Sequence, residues 1–240
     1  MKKLLIYTLF IAFIAQTSRA GDIVEIKYSA ITEERNIKDF KSIAVSGNFN
    51  VFVKIGNVEK IKIEGDPTAI SNLKTVVENQ SLIIKPKDQK FWNKNFNGTR
   101  LNIYVTAKSI NTIVLNGSGL IRVDDNINTQ NFTTSLNGSG NIELKGSFKH
   151  FSGAINGSGK IKCSGNVDSA NFSISGSGVF LGSDFSTESS SASISGSGNI
   201  NVKVNKSLKS VINGSGKIYY AGSPKITSVN SGSGKVIQKN

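Results

Sequence analysis

A four-residue motif, Asn or Ser followed by Gly-Ser-Gly, recurs seven times in the second half of the chain and restricts the possible folds more than any other feature. The copies begin at Asn116, Asn137, Asn156, Ser175, Ser195, Asn213 and Ser231. Successive copies start 18 to 21 residues apart, and together they contain fourteen of the 24 glycines. Repeats of this length are typical of solenoids, in which each copy forms one coil of a stack.

The residues that flank the motif alternate between apolar and polar side chains. The residue before it is Leu or Ile in the first six copies, and the second residue after it is Ile, Phe or Val in all seven. This alternation predicts a short strand with one buried face on each side of a turn. Only stacking buries that face, with equivalent strands about 4.8 Å apart. The sequence therefore predicts an all-β parallel β-helix over residues 110–240. A second apolar column is expected through Ile127, Phe148, Val167, Phe185 and Ile226.

The glycines of the motif suit a sharp corner between two strands. Glycine enters backbone conformations with positive φ freely, whereas other residues lose about 1–2 kcal/mol there. The Asn or Ser at the start of each motif can hydrogen-bond nearby backbone groups and form a ladder along the solenoid. A phosphate-binding loop opens one helix of a βαβ unit, and calcium-binding nonapeptide repeats carry Asp at a fixed offset. These motifs have neither feature, so we expect no cofactor or metal at the corners.

Residues 21–109 are less regular, although they are predicted to be continuous with the repeats in one domain. Strand-like runs occur at 43–55, 60–64, 81–85 and 101–107. Asp66 and Pro67 have the character of an N-cap and a first helical residue, which predicts a short helix near 68–74. We interpret the region as the first coils together with a cap, because a bare edge of the solenoid would invite aggregation.

The motifs, read as Asn-Gly-Ser-Gly-Lys-Ile or Ser-Gly-Ser-Gly-Asn-Ile, resemble those of an exported bacterial family, the auto-transporter adhesin head or GIN domain. The likeness covers most of the chain beyond residue 20. It includes the opening segment 40–53, in which residues 43–51 look like a degenerate first coil. The resemblance implies a right-handed parallel β-helix, which agrees with the general handedness of parallel crossovers. It implies an adhesin-like role and brings no catalytic residues.

The first twenty residues predict export. Lys2 and Lys3 precede an apolar run of roughly 12 residues, and Ser18-Arg19-Ala20 fits a signal-peptidase site. Such a run is too short to span a bilayer, which needs about 20 residues, and an uncleaved anchor is the alternative. No transmembrane segment is expected after cleavage. We expect the protein in the periplasm, on the outer surface or outside the cell.

The composition is basic. The net charge of +13 falls to +10 when Lys2, Lys3 and Arg19 leave with the signal peptide. A positive surface favours anionic partners, although a lysine-rich surface also serves solubility alone. As partner we expect an acidic glycan or an envelope component rather than nucleic acid.

The residues needed for catalysis are sparse. From residue 116 onward the acids are Asp124, Asp125, Glu143, Asp168, Asp184 and Glu188. Most are scattered, whereas glycan-cleaving β-helices need clustered acids or a metal. His150 is the only histidine and has no acid close in sequence. Cys163, the only cysteine, lies in an inward column and is expected to be a small core residue. The sequence therefore predicts no catalytic or metal-binding residues and no enzyme activity.

The segment 85–100 is the candidate ligand contact. It places Phe91, Trp92 and Phe96 among lysines that include Lys90 and Lys94. Aromatic faces interleaved with cations can stack on sugars and neutralise acidic groups. The alternative is that these aromatic residues plug the end or side of the solenoid. A weaker candidate is an outward apolar patch formed by Val179 and Leu181.

Three functions follow from these observations. The first is a noncatalytic envelope or surface protein, adhesin-like, that binds a glycan or another anionic polymer. The second is a structural or assembly component that associates with itself. The third, less favoured, is a carbohydrate-active enzyme. Binding without turnover distinguishes the first from the third, and concentration-dependent oligomers indicate the second.

Overall fold

A computed structural model describes residues 30–96 and 99–239. The predicted signal peptide, residues 1–20, lies outside the described residues. Among the described residues, neither helix combines the length and apolar character needed to cross a membrane.

The described residues form sixteen strands and two short helices. The irregular first part contains β1 (Ile31–Arg35), β2 (Ser42–Ser46), β3 (Asn50–Ile55), β4 (Lys60–Gly65), α1 (Pro67–Ser71), β5 (Leu73–Glu78), β6 (Ser81–Pro86), α2 (Gln89–Asn95) and β7 (Asn102–Ala107). The repeats contain β8 (Thr112–Gly117), β9 (Leu120–Gly138), β10 (Asn141–Gly157), β11 (Lys160–Gly176), β12 (Val179–Gly196), β13 (Asn199–Gly214), β14 (Lys217–Ala221), β15 (Lys225–Ser231) and β16 (Lys235–Gln238).

The repeats wind into a parallel β-solenoid of about seven turns over residues 112–238, as the motif predicts. Equivalent residues of successive coils pair in parallel, with Ile142 beside Ile161 and Ile155 beside Ile174. The apolar positions on both sides of the Gly-Ser-Gly motif therefore form continuous inward columns, which are almost fully buried. Right-handed winding stays a prediction that rests on the family resemblance and on the crossover rule.

The two glycines of each motif are required for different reasons. The first glycine adopts φ between +121° and +139° in every copy, as in Gly157 at +132°. The second glycine does not have positive φ; instead, a Cβ on Gly159 would lie 2.6 Å from the carbonyl oxygen of Gly140. The prediction of positive φ is thus confirmed for the first glycine and wrong for the second, which is selected by the close stacking of coils.

The predicted polar ladder is confirmed at the start of the first three motifs, where the residue is Asn. The Asn137 side chain donates to Oδ1 of Asn116 at 2.7 Å, and the Asn156 side chain donates to Oδ1 of Asn137 at 2.8 Å. At the corner itself, the carbonyl oxygen of Gly138 accepts bonds from the backbone N–H groups of Ser158 and Gly159. The corner is therefore held by the backbone, and the amide ladder reinforces it from outside.

The second apolar column has a different register from the one that the sequence suggested. Phe148 does pair with Val167, but Phe185 pairs with Gly165 and Ile226 pairs with Leu208. Ile127 in turn pairs with Gly146. The reason is a set of register shifts after the first strand segment of several coils, at Glu143/Lys145, Lys162/Gly165 and Gly182/Ser186. Residues counted from the motif therefore lose their alignment beyond these bulges.

The first coil is formed by β2 and β3, which confirms the interpretation of residues 43–51. Ser46 pairs with Asn116, and Gly47 has φ of +141°, as the first glycines of the motifs do. The chain then leaves the solenoid to build a cap: β4 pairs antiparallel with β7 and β1 with β4, while β5 pairs antiparallel with β6.

The predicted helix after Asp66 is present as α1. The Asp66 side chain accepts a bond from the backbone N–H of Ala69 at 2.8 Å, as an N-cap should. The helix is shorter than predicted, because the chain enters β5 at Leu73. Helix α2 and strands β1 and β5 are elements that the sequence pattern did not reveal.

Cys163 occupies the inward column beside Leu144 and is 1% exposed. Burial raises the pKa of its thiol well above the ordinary value, so almost no thiolate is available at neutral pH. We expect the native protein to resist a thiol reagent such as DTNB over hours and to react fully in denaturant. Rapid stoichiometric labelling of the native protein would contradict the placement of this column.

Candidate functional site

Helix α2 holds most of the residues that the sequence singled out. Its N-cap is Asp88, whose side chain accepts bonds from the backbone N–H groups of Lys90 and Phe91 at 2.8 and 3.1 Å. The helix ends at Phe96, whose N–H donates to the carbonyl oxygen of Trp92. These two caps fix a seven-residue helix against the first coil, although so short a helix is marginal without tertiary contacts.

The five candidate residues separate into a buried and an exposed set. Trp92 and Phe96 are 3% and 8% exposed. The Trp92 ring packs edge-on against Phe49 of the first coil, with ring centroids 5.3 Å apart, and lies 5.0 Å from the ring of Phe96. Phe91 is 43% exposed, and Lys90 and Lys94 are exposed beside it. Trp92 and Phe96 are therefore packed against the solenoid, which is the alternative that the sequence left open. Only Phe91, Lys90 and Lys94 present an outer surface.

A groove of about 490 Å³ separates α2 from the first corners of the solenoid. Its lining includes Asn48, Gln89, Trp92, Asn93, Asn116 and Ser118. None of the lining residues that the structure describes carries a charge. The Gln89 amide donates to Oδ1 of Asn93 at 2.8 Å, so these two amides form one paired unit on the helix side of the groove.

Two covered polar atoms of groove-lining residues have no hydrogen-bond partner within the part of the chain that the structure describes. They are Nε1 of Trp92, a donor, and Oδ1 of Asn48, an acceptor, and both are covered from solvent. The Asn48 amide nitrogen donates to the carbonyl oxygen of Thr99 at 3.3 Å, which fixes its orientation. A buried polar group without a partner costs about 1–3 kcal/mol. Such groups are rare in packed interiors and are informative where they line a cavity.

A second feature is the face formed by the strand segments that follow the last six Gly-Ser-Gly corners. We call it the basic face, and its segments are 141–145, 160–164, 179–182, 199–203, 217–221 and 235–239. The chain has eleven lysines and four acids after residue 140. Seven of these lysines lie on the basic face, namely Lys145, Lys160, Lys162, Lys203, Lys217, Lys235 and Lys239. Glu143 is the one acid on these described segments, so the face is strongly positive.

Apolar and aromatic side chains interrupt the lysines of the basic face. Val179 and Leu181 are half-buried there, while Phe180 between them is fully buried in the inward column, as expected for an outward apolar patch. Tyr219 is half-buried two coils further along, and the Lys239 ammonium lies 4.4 Å from the centre of its ring. The basic face thus alternates lysines with apolar or aromatic side chains against which the ring of a ligand could pack.

A ladder of cations and aromatic rings crosses the N-terminal end of the same sheet. The rings of Phe52 and Tyr104 stack with centroids 5.3 Å apart, Arg122 covers Phe52 at 4.9 Å and Lys62 covers Tyr104 at 4.7 Å. The Lys62 ammonium donates a hydrogen bond to Oε1 of Glu64, which lowers the pKa of the carboxyl and raises the pKa of the ammonium. Because each ring face is already covered by a cation or by the other ring, we interpret this ladder as structural. The sequence did not reveal it, since its four residues come from four separate strands.

The residues considered for catalysis remain apart. His150 is exposed on β10, where it pairs with Ser169 and Asn131 rather than with an acid. Over the part of the chain that the structure describes, no three His, Cys, Asp or Glu residues lie close enough to hold a metal ion.

Comparisons with known proteins agree on the architecture. A family model described as "Putative auto-transporter adhesin, head GIN domain" matches residues 39–224. A structure titled a "putative adhesin" from Bacteroides fragilis has a TM-score of 0.80 at 20% identity and covers 88% of this chain and 97% of its own. A "putative lipid binding protein" from Parabacteroides distasonis has a TM-score of 0.72 at 25% identity, with coverages of 89% and 98%. A "putative adhesin" from Parabacteroides merdae has a TM-score of 0.67 at 17% identity, with coverages of 89% and 98%. No curated protein sequence matches the chain.

Proposed function

The chain belongs to the GIN domain family of auto-transporter adhesin heads, and on this premise we propose that it is an exported, noncatalytic adhesin that binds an acidic glycan. Its location is the cell envelope or the outer surface. The contact is the basic face, and the exposed side chains of α2 extend it near the N-terminal end. The ligand is recognised by the sum of many shallow contacts rather than by one enclosed pocket.

The observation that carries this proposal is the distribution of charge on the basic face. The basic face contains seven lysines and one glutamate, although its strand segments make up a minority of the repeat residues. Adjacent coils are about 4.8 Å apart, so Lys217 and Lys235, which pair in neighbouring strands, present ammonium groups side by side. Like charges in adjacent strands destabilise a sheet unless an anion neutralises them. A polymer with regularly spaced carboxylates or sulfates supplies such neutralisation along the whole face.

The exposed residues of α2 enter the proposal as a secondary contact. Phe91 presents an exposed ring on the same helix as the exposed cations of Lys90 and Lys94. An aromatic ring beside ammonium groups suits the apolar face of a sugar that also carries an acidic substituent. Trp92 and Phe96 support this surface from beneath, because Trp92 packs on Phe49 of the first coil and Phe96 packs on Trp92.

Two other functions are weaker in the light of the same residues. An enzyme needs clustered acids or a metal, and the acids of the described repeats are dispersed. Self-association through the last coil is the second candidate, since every residue of β15 is exposed and Val229 is 59% exposed. However, Lys225, Lys235 and Lys239 lie at this end, and their repulsion disfavours pairing of two such ends. Sedimentation that depends on protein concentration would support self-association.

The proposal is tested by removing charge from the basic face. We expect Lys160→Ala, Lys162→Ala and Lys217→Ala together to weaken binding to immobilised alginate or heparin about tenfold at low salt, since each exposed ion pair contributes up to about 1 kcal/mol. Raising the salt concentration should remove the wild-type binding, because the charges are exposed. Affinity measured by biolayer interferometry between 20 and 300 mM salt reports both effects.

The matched control is a variant with the same loss of charge elsewhere: Lys38→Ala, Lys149→Ala and Lys209→Ala, all of exposed residues. It should keep most of the binding. Equal losses in the two variants would mean that only net charge matters, which overturns a dedicated face. Binding to anionic phospholipid vesicles without binding to either polymer would replace the glycan with a lipid headgroup and overturn the proposed ligand class.

A further inference from the structure

We propose that the groove between α2 and the first corners is a subsite for one or two uncharged sugar units of the bound glycan. This inference rests on the proposed function and deepens it, because it adds a neutral, shape-defined site to a face that recognises charge. The groove selects among glycans, whereas the basic face supplies attraction to any of the acidic ones.

The first argument is the chemistry of the lining. Amide and hydroxyl side chains converge there, including Asn48, the Gln89–Asn93 pair, Asn116 and Ser118. Planar amides present a donor and an acceptor together, which matches the neighbouring hydroxyl groups of a sugar. The described lining includes no charged side chain. Yet the chain has eleven lysines after residue 140, and three more flank or lie on α2 at positions 87, 90 and 94. A site for a phosphate or carboxylate would include at least one of those cations.

The second argument is the size of the groove, together with the two aromatic residues in its lining. A volume of about 490 Å³ lies within the range of small-molecule sites, about 300–1,000 Å³. Trp92 and Phe96 also line the groove, and because they are 3% and 8% exposed they contribute only a small apolar contact. The groove is therefore large enough for one or two sugars, and its lining is mainly polar with a small apolar contribution.

The third argument is the pair of unsatisfied polar atoms. Trp92 is 3% exposed, and neither its Nε1 donor nor the Oδ1 acceptor of Asn48 has a partner among the described residues. Both residues line the groove, so binding that uncovers these atoms would present one donor and one acceptor to the ligand. A hydroxyl group both donates and accepts, so a bound sugar can satisfy both atoms and recover the cost of leaving them unpaired.

The fourth argument is the location at one end of the row of corner serines. Ser118 lines the groove, and Ser139, Ser158 and Ser177 continue from it along the solenoid, all exposed. A glycan lying along this row would meet the groove where α2 closes its end. The corner row also borders the basic face, because each basic segment begins directly after a corner. One polymer can therefore contact both surfaces.

The single tryptophan makes the test direct, because Trp92 lines the groove. Neutral disaccharides (cellobiose, lactose, maltose and N,N′-diacetylchitobiose) are titrated into the protein while tryptophan emission is recorded. We expect at least one to give a saturable change in emission. The double variant Gln89→Ala, Asn93→Ala should weaken that disaccharide about tenfold, since two hydrogen bonds are lost. The matched control Asn166→Ala, Asn171→Ala removes two exposed amides from β11 and should leave affinity unchanged.

The outcomes separate this inference from the proposed function. Saturable binding that is lost in the Gln89/Asn93 variant but kept in the control supports the subsite, provided that both variants melt as the wild type does. No response to any of the four disaccharides, or equal affinity in both variants, overturns it. Binding to alginate or heparin is measured in parallel. If the polymers bind and no disaccharide does, the subsite is wrong and the proposed function stands. If a disaccharide binds and neither polymer does, the groove binds sugars but the proposed binding of an acidic glycan is wrong.

Discussion

Replacing Gly157 by alanine is expected to destabilise the protein by about 3 kcal/mol or more. Gly157 has φ of +132°, a conformation in which a residue with a Cβ costs about 1–3 kcal/mol. The new Cβ would also meet the carbonyl oxygen of Gly138 in the coil below. That oxygen accepts the hydrogen bonds of Ser158 and Gly159, so relieving the clash would disturb two backbone bonds. Overpacking of this kind adds about 1–3 kcal/mol.

The neighbouring positions supply controls for this prediction. Ser158 is exposed, and its replacement by alanine should change the free energy of unfolding by no more than about 0.5 kcal/mol. Gly159→Ala should fall between the two, because its clash is present without positive φ. Urea unfolding followed by circular dichroism orders the three variants. If Ser158→Ala costs as much as Gly157→Ala, the serine row rather than the backbone conformation holds the corner.

The corner is also where the sequence was most informative. The glycines of successive corners stack so closely that neither position has room for a side chain. The motif must therefore repeat wherever the coil turns. The inward columns beside it are equally constrained, because Ile155 and Ile174 lie at a fixed distance from the corner. Fold class, repeat number and the burial of Cys163 could therefore be predicted from spacing alone.

The sequence did not predict the pairing of residues beyond the bulges or the groove, because there the distance along the chain no longer determines which residues are in contact. Bulges such as the one between Lys162 and Gly165 shift the register, so Phe185 could not be aligned by counting. The groove joins Asn48, Trp92 and Asn116, which are far apart in sequence and meet only because the chain leaves the first coil and returns. The Asp88 N-cap was the one local signal for α2, since an Asp before a run without glycine or proline can start a helix.

The second large effect is expected at Trp92. Replacing Trp92 by alanine should destabilise the protein by about 3–5 kcal/mol, the usual cost of truncating a buried aromatic side chain. The ring is 3% exposed and packs against Phe49 and Phe96, so its removal leaves a cavity between α2 and the first coil. Phe91→Ala, on the exposed side of the same helix, should cost about 0.5 kcal/mol or less. Circular dichroism is the probe, because the variant has no tryptophan.

Binding measurements on the same variants determine what Trp92 does. If Trp92→Ala melts at a much lower temperature but binds alginate or heparin as the wild type does below that temperature, the residue is a packing element for α2 and the basic face binds independently. Phe91→Ala should then reduce polymer binding modestly without a loss of stability, because its ring lies on the outer surface. A Trp92→Ala variant as stable as the wild type would contradict the packing of α2 on the first coil. Loss of a tryptophan side chain without loss of stability is expected only where that side chain is exposed to solvent.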